Sequence, residues 1–269
     1  MERIKEAIEK AKAGRRTDQS TSRPADEVEV DATAGVDKIT YRQTKVIQLD
    51  PLHLEEKRII SYSKNDPRSM SFDMLRTQVL RKMQENKWRT LAVTSPTAEC
   101  GKTVVSINLA LSIAQQTEQT VLLADFDLRK PKISDYLGLP SGLSLVDYLE
   151  GDASLADVFV NPGVPRLTLL PNKSPIKNAS ETLTTTRMKA LVTDIRDRYE
   201  SRMIIFDLPP VLTTDDAMAF LPQVDCAILV VANGASTTSD VKEASRLLQS
   251  TNLLGVMLNK SEEESRTYY

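Results

Sequence analysis

The sequence predicts an α/β fold: a doubly wound, mostly parallel sheet. Two observations carry this. Short, largely apolar runs recur at Thr90–Thr94, Val121–Ala124, Leu167–Leu170, Met203–Phe206, Cys226–Val231 and Leu254–Leu258. Helical patterns fall between most of them. A strand buried on both faces reads as an unbroken apolar run, and strand–helix alternation supplies the helices that cover both faces.

Taken in order, Ile4, Ala7, Ile8 and Ala11 have helical spacing and predict a short amphipathic helix over residues 1–14. It reads either as a frayed terminus or as a partner-docking helix. Residues 14–36, rich in Arg, Thr, Ser, Asp and Ala, read as a disordered linker. The expected organisation is a helix and linker over 1–40, an extended lead-in over 41–67 that is partly helical at Leu52–Arg58, a main domain over 68–260, and a flexible tail over 261–269. Within the main domain, Phe72, Leu75, Val79 and Met83 mark one face of a helix ending near Lys87. Residues 103–116 are apolar around most of a helix, which predicts burial. Thr186–Tyr199, Asp216–Leu221 and Thr238–Ser250 read as the remaining helices.

Composition bounds the function. The 269 residues carry 35 basic and 37 acidic side chains, a net charge of −2, which does not suggest a dedicated nucleic-acid binder. No apolar run reaches the roughly 18–20 residues that span a bilayer, and the opening residues lack the apolar core of a signal peptide. A cytoplasmic protein is expected, linked to a membrane only through a partner. His53 and two scattered cysteines, Cys100 and Cys226, fit neither a zinc site nor a disulfide. His53 reads as a solvated loop residue.

In a parallel sheet, ligands gather at the carboxyl ends of the strands. Three of these ends carry chemistry. The first strand runs into Ser95-Pro-Thr-Ala-Glu-Cys-Gly-Lys-Thr103 and then a helix. Amides at a helix N-terminus lack partners and favour anions, so this is a phosphate-binding loop, or P-loop. Its ligands would be the amides around Cys100, Gly101, Lys102, Thr103 and Val104, with Lys102 on the β- and γ-phosphates and the Thr103 hydroxyl on Mg²⁺. Pro96 breaks the strict pattern, which asks for Gly at that position. A second strand ends in Asp125-Phe-Asp127-Leu-Arg129. In extended chain Asp125 and Asp127 face the same way. Such a pair can bind Mg²⁺ through water or accept a proton from an attacking hydroxyl. Arg129 is placed to meet phosphate or a neighbouring subunit. A third strand ends in Asp207-Leu-Pro-Pro210, an acid in position to orient Mg²⁺ or its water shell.

Together these segments resemble the three nucleotide motifs of the bacterial tyrosine kinases (BY-kinases): Walker A, then Asp-x-Asp-x-Arg, then an apolar strand with Asp-x-x-Pro. Asp216-Ala217 also looks like a family segment, and Asn259-Lys260 resembles the pair that helps hold the nucleotide base. The resemblance covers roughly residues 68–260. It implies a P-loop NTPase fold, Mg-ATP as substrate complex and autophosphorylation on tyrosine, here Tyr268 and Tyr269. Lys102, Asp125, Asp127 and Asp207 would be the catalytic residues, with Thr103, Asp125 and Asp207 around the metal. It also implies control of capsule or exopolysaccharide polymerisation and export, homo-oligomerisation, and activation by the cytoplasmic segment of a membrane polysaccharide co-polymerase.

The chain departs from the family at three places. Glu99 and Cys100 replace the usual residues of the loop, and a Glu at a positive-φ position adds strain of about 1 kcal/mol. Met70, Asp73 and Arg76 align with the oligomerisation motif Glu-x-x-Arg-x-x-Arg, and only Arg76 matches. The tyrosine cluster is reduced to two residues. Two other readings therefore stay open: a non-catalytic, nucleotide-sensing regulator of the polysaccharide machinery, and a Min/Par-type ATPase, although the extra loop lysine of that class is missing. Cys100, at a helix N-terminus beside Lys102, is also a candidate reactive thiol.

Overall fold

Alternate side chains of the central strands enter two separate apolar clusters, which is why the strands read as continuous hydrophobic runs. Val121 and Leu123 join one cluster, Leu122 and Ala124 the other. Met203 and Ile205 separate from Ile204 and Phe206 in the same way. The computed structural model describes residues 45–63, 66–115, 119–198 and 201–261. Among these, eight strands form one sheet: β1 (Lys45–Val46), β2 (Thr90–Thr94), β3 (Thr120–Asp125), β4 (Val160–Asn161), β5 (Leu167–Leu170), β6 (Arg202–Asp207), β7 (Cys226–Ala232) and β8 (Asn252–Asn259). Their order is β1-β4-β5-β3-β6-β2-β7-β8, and every neighbouring pair is parallel except β4–β5. The predicted N-terminal helix and linker, and Tyr268 and Tyr269, lie outside the described residues.

Four longer helices cover the sheet. Helices α1 (Met70–Asn86) and α2 (Lys102–Ala114) pack into the first cluster, and α3 (Thr186–Asp197) and α4 (Thr238–Leu247) into the second. Helix α1 stops where Lys87 turns left-handed at φ 59°. Helix α4 begins with a capping box in which Thr237 and Asp240 satisfy each other's backbone amides. Helix α2 is buried along nearly all its length, as its apolar circumference predicts. Its few polar side chains are used inside the protein. Asn108 accepts from the Ser61 amide at 2.8 Å and donates to the Arg58 carbonyl at 3.0 Å. The segment before α1 therefore hangs on the P-loop helix, and it adds Leu49, Leu54 and Ile59 to the first cluster.

The observed strands match the predicted runs to within two residues at each end. Two strands, β1 and β4, carry no apolar run long enough to read. Four short helices also went unpredicted: Ile133–Tyr136, Leu145–Glu150, Leu155–Val158 and Ala179–Thr184. Each has six residues or fewer, too few to show a period of 3.6. His53 is a correction. It sits in a helix over Pro51–Glu56, not in a solvated loop, and its Nε2 lies 2.8 Å from the Asp135 carbonyl.

The sheet order decides where the chemistry collects. Strand β6 lies between β3 and β2, so the three motif-bearing strands are adjacent. Asp207 pairs in register with Asp125 on one side and Val93 on the other. Two concavities of about 420 and 490 Å³ lie at the opposite end, near Arg89, Trp88 and Arg202. These belong to the amino ends of the strands and hold none of the motif residues.

Candidate active site

The loop after β2 turns back toward its own strand. The Ser95 hydroxyl donates to the Thr97 carbonyl at 2.7 Å, and the Thr94 hydroxyl donates to the Pro209 carbonyl at 2.7 Å. Two residues then take left-handed backbone: Glu99 at φ 63° and Gly101 at φ 85°. Gly101 is required twice over. A side chain would be strained at that φ, and its Cβ would fall 2.3 Å from Asn259 Nδ2. That Asn259 amide donates to the Cys100 carbonyl at 2.9 Å, so the end of β8 braces the loop.

Glu99 carries the strain expected of a non-glycine residue there, about 1 kcal/mol. Its side chain is exposed. A solvated carboxylate this close to a phosphate site still repels an anion. Replacing it should therefore help: Glu99→Gly is expected to raise Mg-ADP affinity about two- to five-fold. The gain should shrink at high salt. Titration of a fluorescent ADP analogue reads this directly, and unchanged affinity would exclude any cost of the acidic loop.

Lys102, Thr103 and Ser106 project from the first turns of α2 onto the end of β6. The Thr103 hydroxyl donates to Asp207 Oδ2 at 2.6 Å, and the Ser106 hydroxyl donates to Oδ1 at 3.0 Å. Lys102 Nζ lies 2.8 Å from Asp127 Oδ2 and 3.5 Å from Asp207 Oδ2. Asp125 Oδ2 accepts from the amides of Lys132 and Ile133, both at 2.9 Å. Its Oδ1 is buried with no hydrogen-bond partner.

Three carboxylates thus surround one ammonium, all of them buried or nearly so. Burial, and then the charge of Asp207, push the Asp125 carboxyl well above its usual range. Burial also raises Asp207, although Lys102 and the Thr103 hydroxyl oppose it. At Lys102 burial works against the ammonium, but Asp207 and Asp127 outweigh it and the pKa rises. This excess of negative charge, with one carboxylate oxygen unused, suits a divalent cation. Among the described residues no three His, Cys, Asp or Glu side chains form an all-protein cage.

Arg129, expected to meet phosphate or a neighbouring subunit, is engaged within its own chain. Its guanidinium grips Asp216 with two bonds, Nε to Oδ2 at 2.5 Å and Nη2 to Oδ1 at 3.0 Å. Cys100 is also buried. Its thiol lies 3.4 Å from the Ser236 hydroxyl and 3.8 Å from the Ala98 carbonyl. The candidate reactive thiol read from sequence is therefore buried within the loop. Ser106 was missed by sequence reading. The available signal was its position, one turn beyond Thr103 on a helix whose start was already assigned.

Known proteins resemble this chain in sequence and in fold. Residues 89–259 match the model of an AAA domain family. Tyrosine-protein kinase CpsD of Streptococcus agalactiae is 31% identical over 200 residues, spanning 73% of this chain and 84% of CpsD. The chain belongs to the bacterial tyrosine-kinase family. The kinase domain of Escherichia coli tyrosine kinase ETK superposes with a TM-score of 0.70 at 28% identity, covering 84% of this chain and 92% of that domain. A second solved structure, the septum-site-determining protein MinD of Pyrococcus horikoshii complexed with Mg-ADP, is 25% identical with a TM-score of 0.54, over 65% of this chain and 72% of MinD. Among longer relatives, the chain spans only 27% of the length of EpsB of Ralstonia nicotianae, at 32% identity over 76% of this chain. As a family member, the chain shares its fold with proteins that include a Mg-ADP complex.

Proposed function

We propose that this chain is an ATP-dependent protein-tyrosine kinase that phosphorylates its own tail, with Tyr268 and Tyr269 as acceptors. The observation that carries the reading is the meeting of Lys102, Thr103, Asp125, Asp127 and Asp207 at three adjacent strand ends. The amides of residues 100–104 and Lys102 would bind the ATP phosphates. Asn259, already against the loop, would border the base. Thr103, Asp207 and Asp125 would hold Mg²⁺, directly or through water. When bound, Mg²⁺ neutralises charge on the phosphates and aligns them. Asp127, slightly more open than Asp125, accepts the proton of the incoming tyrosine hydroxyl. The tyrosine oxygen bonds to the γ-phosphorus, the bond to the bridging oxygen breaks, and ADP leaves. Positioning and charge neutralisation supply most of the acceleration.

The same reading gives the chain a cytoplasmic place beside a membrane, held there by the cytoplasmic segment of a polysaccharide co-polymerase, and a role in capsule or exopolysaccharide export. Consistent with this, no helix among the described residues is long and apolar enough to cross a membrane. Self-association is part of the proposal, through contacts other than the family motif. Arg76, the single match to that motif, is tied to its own chain: Nη1 lies 2.6 Å from Asp73 Oδ1 and 3.0 Å from Ser112 Oγ.

One observation favours a second reading, a nucleotide sensor that gates the machinery without phosphorylating. The strained, acidic Glu99 sits in the loop that must close on phosphate. Intact mass after incubation with Mg-ATP separates the two. Gains of one or two phosphates, mapped to Tyr268 and Tyr269, are expected. Nucleotide binding without any mass gain, even with a co-polymerase peptide added, would select the sensor.

A further inference from the structure

We propose that Asp216 is a positioning residue for Asp127, acting through Arg129. The inference rests on the kinase reading and extends it to a residue outside the three motifs. Asp216 opens the short helix Asp216–Phe220 and is 1% exposed. Both its oxygens are engaged by Arg129, and Oδ2 also accepts from the Thr214 hydroxyl at 3.0 Å. The clasp joins two loops that leave adjacent strands, one after β3 and one after β6.

The loop after β3 carries Asp127, and its contacts form a chain around that residue. The Phe126 amide donates to the Asp207 carbonyl at 3.0 Å. Asp127 Oδ1 accepts from the Lys130 amide at 3.0 Å, and its Oδ2 meets Lys102. The Leu128 carbonyl accepts from the Ile176 amide at 2.7 Å. Arg129 is the next residue, and Asp216 is what holds its side chain. An ion pair with one partner buried and the other partly exposed adds little net stability, because desolvation and solvent screening offset the attraction. Its distinctive contribution is direction: a two-bonded Arg–carboxylate pair fixes both position and plane. Here that direction is imposed two residues from the proposed proton acceptor. Asp216 itself reaches neither Lys102 nor Asp207, so it acts only through the loop.

The test uses the full chain and compares wild type with Asp216→Asn, Arg129→Lys and the double variant. Steady-state ATP turnover, affinity for a fluorescent ADP analogue and thermal midpoint are measured on each. The expected result is a fall in kcat of about 10- to 100-fold in both single variants. ADP affinity should stay within about three-fold of wild type, and the double variant should be no slower than the worse single one. Should Asp216→Asn fail to fold, Arg129→Lys still decides, because it keeps the charge and loses only the two-bonded geometry. Full kcat in Arg129→Lys, losses that multiply in the double variant, or a matching loss of ADP affinity would overturn the inference. A wild-type chain that binds ADP but turns over no ATP would instead overturn the kinase reading, and the inference with it.

Discussion

Lys102→Met should abolish phosphorylation and reduce ATP turnover by about 1,000-fold or more. Among the described residues Lys102 is the one cation between Asp125, Asp127 and Asp207, and Asp207 and Asp127 are its direct partners. The substitution also leaves buried carboxylates without their counter-charge, which costs about 3–5 kcal/mol if they stay ionised. They need not stay ionised. Burial already raises Asp125 and Asp207, and loss of Lys102 removes a contribution that lowers both. The variant should therefore fold with extra protons bound. The sign follows from linkage: a carboxyl whose folded pKa lies above its unfolded value gives its stability below the unfolded pKa and loses it as pH rises through the folded pKa. The gap between wild type and Lys102→Met should thus be small near pH 5 and widen toward pH 8, within about 3–5 kcal/mol. Urea denaturation across this pH range measures it, and phosphate incorporation measures the activity. Turnover at the wild-type level would remove Lys102 from the site. A stability gap independent of pH would mean that the carboxylates are not the groups responding.

Much of this site was legible in the sequence because parallel strands place their ends together and the polar residues follow directly. Asp125, Asp127 and Asp207 each sit at or just after the end of an apolar run, so the run's end predicts the residue's place. The positive φ of Glu99 was signalled only by the family resemblance, in which a Gly stands at that position of the loop. What was not legible depends on contacts between distant parts of the chain. Arg129 reads as a cation for phosphate or a neighbouring subunit, and only the fold brings Asp216 within reach. Ser106 reads as a small polar residue in an apolar helix until Asp207 is placed beneath it. The role of Asn108 depends likewise on Ser61 and Arg58, some fifty residues away. The antiparallel β4 escaped for a different reason: its two residues are too few for a pattern, and pairing with β5 defines it.

Phe206→Ala should destabilise the protein by about 3–5 kcal/mol and release the site with it. Phe126, Phe206 and Phe220 form a closed aromatic trio with ring centroids 4.8, 4.9 and 4.9 Å apart, all fully buried. Their positions follow from strand alternation. Phe126 lies between Asp125 and Asp127 and points to the opposite face. Phe206 stands directly before Asp207, and Phe220 closes the helix that begins with Asp216. The trio is thus the apolar underside of the loops after β3 and β6, and tilted or edge-to-face pairs of this kind add about 0.5–1.5 kcal/mol each beyond area burial. Removing the Phe206 ring leaves a cavity that a close-packed interior fills only in part. The loops bearing Asp127, Asp207 and Asp216 then lose a shared reference. ADP affinity should fall together with stability in Phe206→Ala, whereas Phe206→Leu, which fills most of the volume, should keep most of both. Urea midpoints at constant m-value and ADP titration test the pair. If Phe206→Ala stayed within about 1 kcal/mol of wild type, the range of ordinary surface changes, the trio would not be what holds the carboxylates in register. If stability fell while ADP affinity held, the loops would be fixed from above, by Asn259, Lys102 and Arg129, and not from the aromatic floor.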